Sequence, residues 1–218
     1  MRTKIFFTMP EKNIPVNNQK QLNSYIHRVL GHDNSYHDTF SNYAISSLQG
    51  GKLMPNGNLK FESNPYVVVS SEDPTFIGLF LEGVQNMDEK FFDMSYLRIE
   101  LGDYVVHEYF DKVNTISPIL IKKDGKKLTI KDDGWLEAIT ENCIKKLEYK
   151  GVSTKGFNIE IRNPERAKKK IIYVGDVFNP CSMVSLKITG TKKARKTLYN
   201  LGIGNSTGSG FGTIEIYP

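Results

Sequence analysis

The sequence predicts an α+β protein made of two successive β-α-β-β-α-β units, each an antiparallel sheet with its helices over one face. Three observations lead there. The hydrophobic period switches between 2 and 3.6 in an order that can be read twice along the chain. The length, 218 residues, suits two cores of about 100 residues each. A hydrophobic share of 39% with 24% charged residues is that of a chain that folds in water.

In the first unit, residues 4–9 (KIFFTM) form a short apolar strand closed by Pro10 and Pro15. A helix follows, capped by Asn17 or Asn18, with Leu22, Tyr25, Ile26 and Val29 at i, i+3, i+4, i+7 and Gly31 where it stops. Residues 43–48 (YAISSL) and 65–70 (PYVVVS) read as strands around a glycine-rich turn region at Gly50, Gly51, Asn56 and Gly57. Asp73 caps a second helix with Pro74 at its first position and Phe76, Ile77, Phe80, Leu81 and Val84 on one face. Residues 95–101 close the unit.

The second unit opens with 117–123 (SPILIKK), then a helix capped by Asp133 that turns Trp135, Ile139, Cys143, Ile144 and Leu147 inward. Strands are expected at 157–162 and 182–189, with a basic hairpin between them built from 165–170 and 171–174. A helix capped by Thr191 buries Ala194, Leu198 and Leu201 and leaves Lys192, Lys193, Arg195 and Lys196 outside; a strand at 212–217 ends the chain. The division is expected near 112–117, giving one domain at 1–112 and another at 113–218.

Charge is distributed unevenly. Residues 1–118 hold 10 Lys and Arg against 14 Asp and Glu, whereas 119–218 hold 19 against 10. A basic half attracts anions, phosphate backbones above all, although a solvated lysine face has the same composition. No stretch reaches the roughly 18 apolar residues of a membrane span, and the first residues turn polar too early for a secretory signal, so the expected location is the cytoplasm. The two cysteines, Cys143 and Cys181, lie apart from other metal-ligand residues and read as buried thiols.

The densest local signal is 201–218, LGIGNSTGSGFGTIEIYP, where Gly202, Gly204, Gly208, Gly210 and Gly212 crowd between a helix and a strand. Nucleotide-binding loops run from strand to helix, so this order implies no nucleotide cofactor. The loop, the basic helix before it and the apolar strand after it resemble the CRISPR-associated endoribonucleases that release guide RNAs from repeat transcripts, RAMP proteins with a C-terminal glycine-rich loop. The resemblance spans the chain as a pattern of elements and the last 18 residues as a motif. It implies a pair of ferredoxin-like domains, a loop in the cleft between them that supports RNA binding, and no metal or other cofactor.

Cleaving RNA through its own 2′-hydroxyl needs a base for that hydroxyl, an acid for the departing 5′ oxygen and cations for the phosphorane, and histidine suits the proton transfers near neutral pH. His27, His32 and His37 fall within eleven positions, and His107 lies in the joining stretch. The family places its histidine at or after the end of the first helix with a tyrosine and a lysine nearby. Carried over, that pattern points to His37, with His32 in reserve, to Tyr25 or Tyr36, and to Lys52. The expected RNA surface is Arg162, Arg166, Lys168, Lys169 and Lys170 with Lys192, Lys193, Arg195, Lys196 and the loop glycines, two clusters flanking one cleft. Phe178 and Phe211 are candidates for stacking on bases, with burial in the core as the alternative. The implied reaction is metal-independent cutting of CRISPR repeat RNA, leaving a 5′-hydroxyl and a 2′,3′-cyclic phosphate. A non-catalytic RNA-binding subunit of a CRISPR effector complex, and a ligand-binding or structural ferredoxin-like protein with an incidental basic half, stand as alternatives. Repeat RNA is the implied partner, with other effector subunits and a homodimer left open.

Overall fold

The computed structural model describes residues 1–31, 41–102 and 110–217. Its first half contains β1 (Arg2–Phe7), β2 (Ile14–Pro15), α1 (Gln19–Leu30), β3 (Tyr43–Ile45), β4 (Gln49–Leu53), β5 (Asn58–Ser71), α2 (Pro74–Gln85) and β6 (Tyr96–Leu101). The second contains β7 (Lys112–Thr115), β8 (Ile121–Lys123), β9 (Lys126–Leu128), α3 (Trp135–Tyr149), β10 (Asn158–Arg162), β11 (Lys168–Val174), β12 (Val177–Met183), β13 (Ser185–Thr189), α4 (Lys192–Leu201) and β14 (Ile214–Ile216). Both halves are ferredoxin-like. The second sheet runs β10-β13-β7-β14, and in the first β5 and β6 flank β1 while β3 and β4 share the outer edge of β5. All pairings are antiparallel, with hairpins β8–β9 and β11–β12 added to the second unit.

Each sheet buries alternate residues beneath its helices. Ile5, Phe7, Val67 and Val69 meet Leu22, Tyr25, Ile26, Phe76 and Phe80 in one core; Val113, Ile159, Leu186 and Ile188 meet Trp135, Ile139, Cys143 and Leu198 in another. Asp73 caps α2 through a bond from the Thr75 amide, and Thr191 caps α4 through one from Ala194.

Several local readings are corrected. Gly50 and Gly51 belong to β4, and the turn falls at 54–57, where the Met54 and Asn58 backbones pair. Within 117–123 only Ile121–Lys123 form a strand, the hairpin strand β8. Ile119 and Ile121 are buried in the second core and Leu120 against Phe211 and Cys181, whereas the first strand of the second sheet is the less apolar β7. Asp133 does not cap α3. Gly134, at φ 79°, holds that place without a side-chain bond, while Asp132 accepts from the Thr129 amide and hydroxyl. The basic hairpin is longer than expected, because its second strand is 177–183.

Candidate nucleic-acid interface

The glycine-rich loop is packed rather than free. The Ile203 amide donates to Gly212 O, the Gly212 amide to Pro118 O and the Asn205 amide to Leu120 O, which stitches the loop to residues 118–120. Gly212 sits at φ 64°, and a Cβ there would fall on the Ile203 carbonyl; one on Gly208 would lie 2.7 Å from the Tyr43 ring. Gly202, Gly204, Gly210 and Gly212 are buried and Gly208 is half-buried, so the part of the loop open to a ligand is Asn205, Ser206, Gly208 and Ser209. Across the joint the Thr207 hydroxyl donates to Tyr43 O at 3.2 Å, and Gly210 rests against Gln19 at the start of α1.

Arg2 completes the joint. Its guanidinium donates to Ile214 O at 2.6 Å and Tyr199 O at 3.2 Å and lies 4.3 Å from the Tyr199 ring centre. Ser70, paired with Arg2 in register, donates to Asn200 O at 2.9 Å, and Thr197 donates to Glu72 at 2.6 Å. Beneath the loop the wholly buried Lys146 ammonium donates to Gly202 O at 3.1 Å, and burial lowers its pKa to about 8. Burial pushes the neighbouring Cys143 thiol up to about 12.

The expected basic residues do not share one face. Lys192, Lys193 and Lys196 are exposed on α4, over the helix side of the second sheet, while Arg195 is half-buried and donates to Gly190 O. Arg162 lies on the opposite side of that sheet, 5.3 Å from the Tyr217 ring centre, and Arg166 is on the short turn beyond it. Lys168, Lys169 and Lys170 are exposed on β11, in the hairpin whose tip Gly175 approaches Lys20 of α1. Phe211 is buried with Leu120 and Cys181, whereas Phe178 is exposed.

Of the residues carried over for catalysis, His32, Tyr36 and His37, like His107, lie outside the described residues. Tyr25 is core, 3% exposed, with its ring against Phe7 and Phe91 and its phenol pushed up to about 12 by burial. Lys52 is exposed and pairs with Glu62 at 2.7 Å across β4 and β5. Sequence reasoning missed the uncovered face of the first sheet, where Lys4, Phe6, Tyr66 and Arg98 interleave. Phe6 and Tyr66 lie 5.2 Å apart and Arg98 stands 4.0 Å over Phe6. The signal was the alternation in KIFF, whose outward positions are a lysine and a phenylalanine. Among the described residues no group of three or more His, Cys, Asp or Glu is placed to hold a metal ion, and no helix is long and apolar enough to cross a membrane.

Two ferredoxin-like units joined by a buried, carboxy-terminal glycine-rich loop define the class of CRISPR-associated RAMP proteins. The sequence profile described as CRISPR associated protein Cas6, C-terminal, matches residues 105–216, just over half of the chain, and the chain belongs to that family. Membership ties it to CRISPR RNA processing or binding. In fold it is similar to a CRISPR associated protein Cas6, at 20% identity and a TM-score of 0.82 over 100% of this chain and 99% of the other. It is similar also to a Cas6-related protein from Pyrococcus furiosus, at 22% identity and a TM-score of 0.81 over 100% and 98%. A RAMP protein described as binding different RNA substrates aligns at 21% identity with a TM-score of 0.77, over 100% of both chains. No curated protein matches it in sequence.

Proposed function

We propose that the protein is a metal-independent endoribonuclease acting on CRISPR repeat RNA, with His37 as its acid or base. The observation that supports this reading is that the glycine-rich loop meets the first unit at Tyr43, six positions after His37 in the sequence: the Thr207 hydroxyl donates to the Tyr43 carbonyl at 3.2 Å. In the reaction the 2′ oxygen gives up its proton to a base and bonds to the adjacent phosphorus. The bond to the 5′ oxygen breaks and that oxygen takes a proton from an acid. Lys52, exposed on β4, is the candidate to supply charge for the phosphorane.

One observation favours the non-catalytic alternative: Tyr25 is core, its ring packed against Phe7 and Phe91, and is not set out for a substrate. Repeat RNA incubated with the protein in EDTA separates the readings. The expected result is one cut with 5′-hydroxyl and 2′,3′-cyclic phosphate ends, slowed by about 10²–10⁴-fold in His37→Ala. Tight binding without any product favours the RNA-binding subunit, and a strict divalent requirement defeats the mechanism.

A further inference from the structure

The β11–β12 hairpin stands outside both ferredoxin-like sheets and has two unlike faces. One face carries Ile172, Val174 and Cys181, which pack on Leu120 and Phe211 beside the glycine-rich loop. The other carries Lys169, Ile171 and Tyr173, in register with Ser182, Pro180 and Phe178. On this face Ile171 is 47%, Tyr173 40% and Phe178 45% exposed, and the two rings stand 5.8 Å apart, edge to face. Three large apolar side chains left in water on a two-stranded ribbon add nothing to either core.

The surroundings of the rings are basic. Lys127 of β9 donates to the Phe178 carbonyl at 2.6 Å, and Lys169 is exposed on the same face of β11 as Tyr173, with Lys168 and Lys170 exposed on the other face. The acidic groups nearby are Asp176 at the turn and Asp132, whose carboxylate is engaged by Thr129. Exposed rings among lysines fit a ligand with flat apolar faces joined by anions, and unpaired RNA is such a ligand.

We propose that Tyr173 and Phe178 form a stacking platform for unpaired bases of bound RNA, with Lys127 and Lys169 holding the phosphates beside it. This rests on the reading of the protein as one that handles RNA, and adds that part of its substrate is single-stranded where it crosses the hairpin. The platform recognises base planes without regard to sequence, because every base has a π-face.

The test compares two 12-residue probes of equal charge, oligoadenylate and an abasic ribose-phosphate oligomer. Wild type is expected to bind oligoadenylate more tightly. Tyr173→Ala/Phe178→Ala should weaken that binding about 5- to 150-fold, the range that 1–3 kcal/mol of stacking represents, and leave the abasic oligomer and the salt dependence unchanged. Tyr173→Trp should keep the preference, and its fluorescence should be quenched by oligoadenylate. Equal loss on both probes, no loss on either, or an effect confined to self-association overturns the platform. Should wild type bind neither probe nor repeat RNA, the RNA reading itself falls; should it bind or cut repeat RNA while the double variant matches it on both probes, only the platform falls.

Discussion

Lys146 sits in the second core, 4% exposed, at a helix position that the apolar pattern alone assigns to no particular role. Its ammonium reaches the Gly202 carbonyl, so a buried cation supports the start of the glycine-rich loop. In the fold it is held at about 8, below its ordinary 10.5. Between those values the unfolded chain binds a proton that the folded chain has shed, and stability from this group rises with pH. Cys143 and Cys181, both pushed up to about 12, work in the opposite sense above pH 9, so Lys146→Met is the proper reference. Urea denaturation at pH 7.5, 9 and 10.5 should show wild type gaining about 1–3 kcal/mol on the variant across that range. A gap that does not change with pH would mean that the ammonium is not desolvated.

At the scale of elements, α4 opposes its own electrostatics. Lys192 and Lys193 open the helix at its positive end, where the macrodipole favours carboxylates. Lys192→Glu/Lys193→Glu should therefore raise the melting temperature slightly while weakening RNA binding. The slope of log affinity against log salt should flatten by about 0.7–0.9 for each phosphate that the helix no longer neutralises. Binding and slope both unchanged would remove α4 from the RNA surface. The caps at Asp73 and Thr191, the stripe of α1 and the face of α4 were legible because they depend on residues within a few positions of one another. The strand at 177–183 was not, since Phe178, Asn179 and Pro180 carry no alternating pattern and pair only because the Gly175–Asp176 turn brings β11 back beside them.

At the scale of the whole molecule, the halves meet along Arg2, Ser70, Thr197 and the glycine-rich loop, so the first and last strands of the chain are fastened together. Arg2→Met would leave the Ile214 and Tyr199 carbonyls without their charged donor. Bonds to charged groups are worth about 1.5–3 kcal/mol each, and a loss of about 2–4 kcal/mol is expected, read as a lower urea midpoint. An unmoved midpoint would show that the joint rests on the loop and not on Arg2.

By itself the sequence determined the two βαββαβ units, the basic second half and the glycine-rich motif, because each is written in local periodicity, composition or a contiguous run. Only the tertiary structure decided what those features touch. It buried most of the loop glycines in the joint, put Arg162 and α4 on opposite sides of one sheet, and left Tyr173 and Phe178 in water. Lys52 was assigned to an ion pair in the same way, whereas the burial of Tyr25 was already written in the stripe of α1. The reason is that face, depth and partner depend on contacts between residues far apart in the chain, such as Arg2 with Ile214, and no pattern within a few positions encodes them.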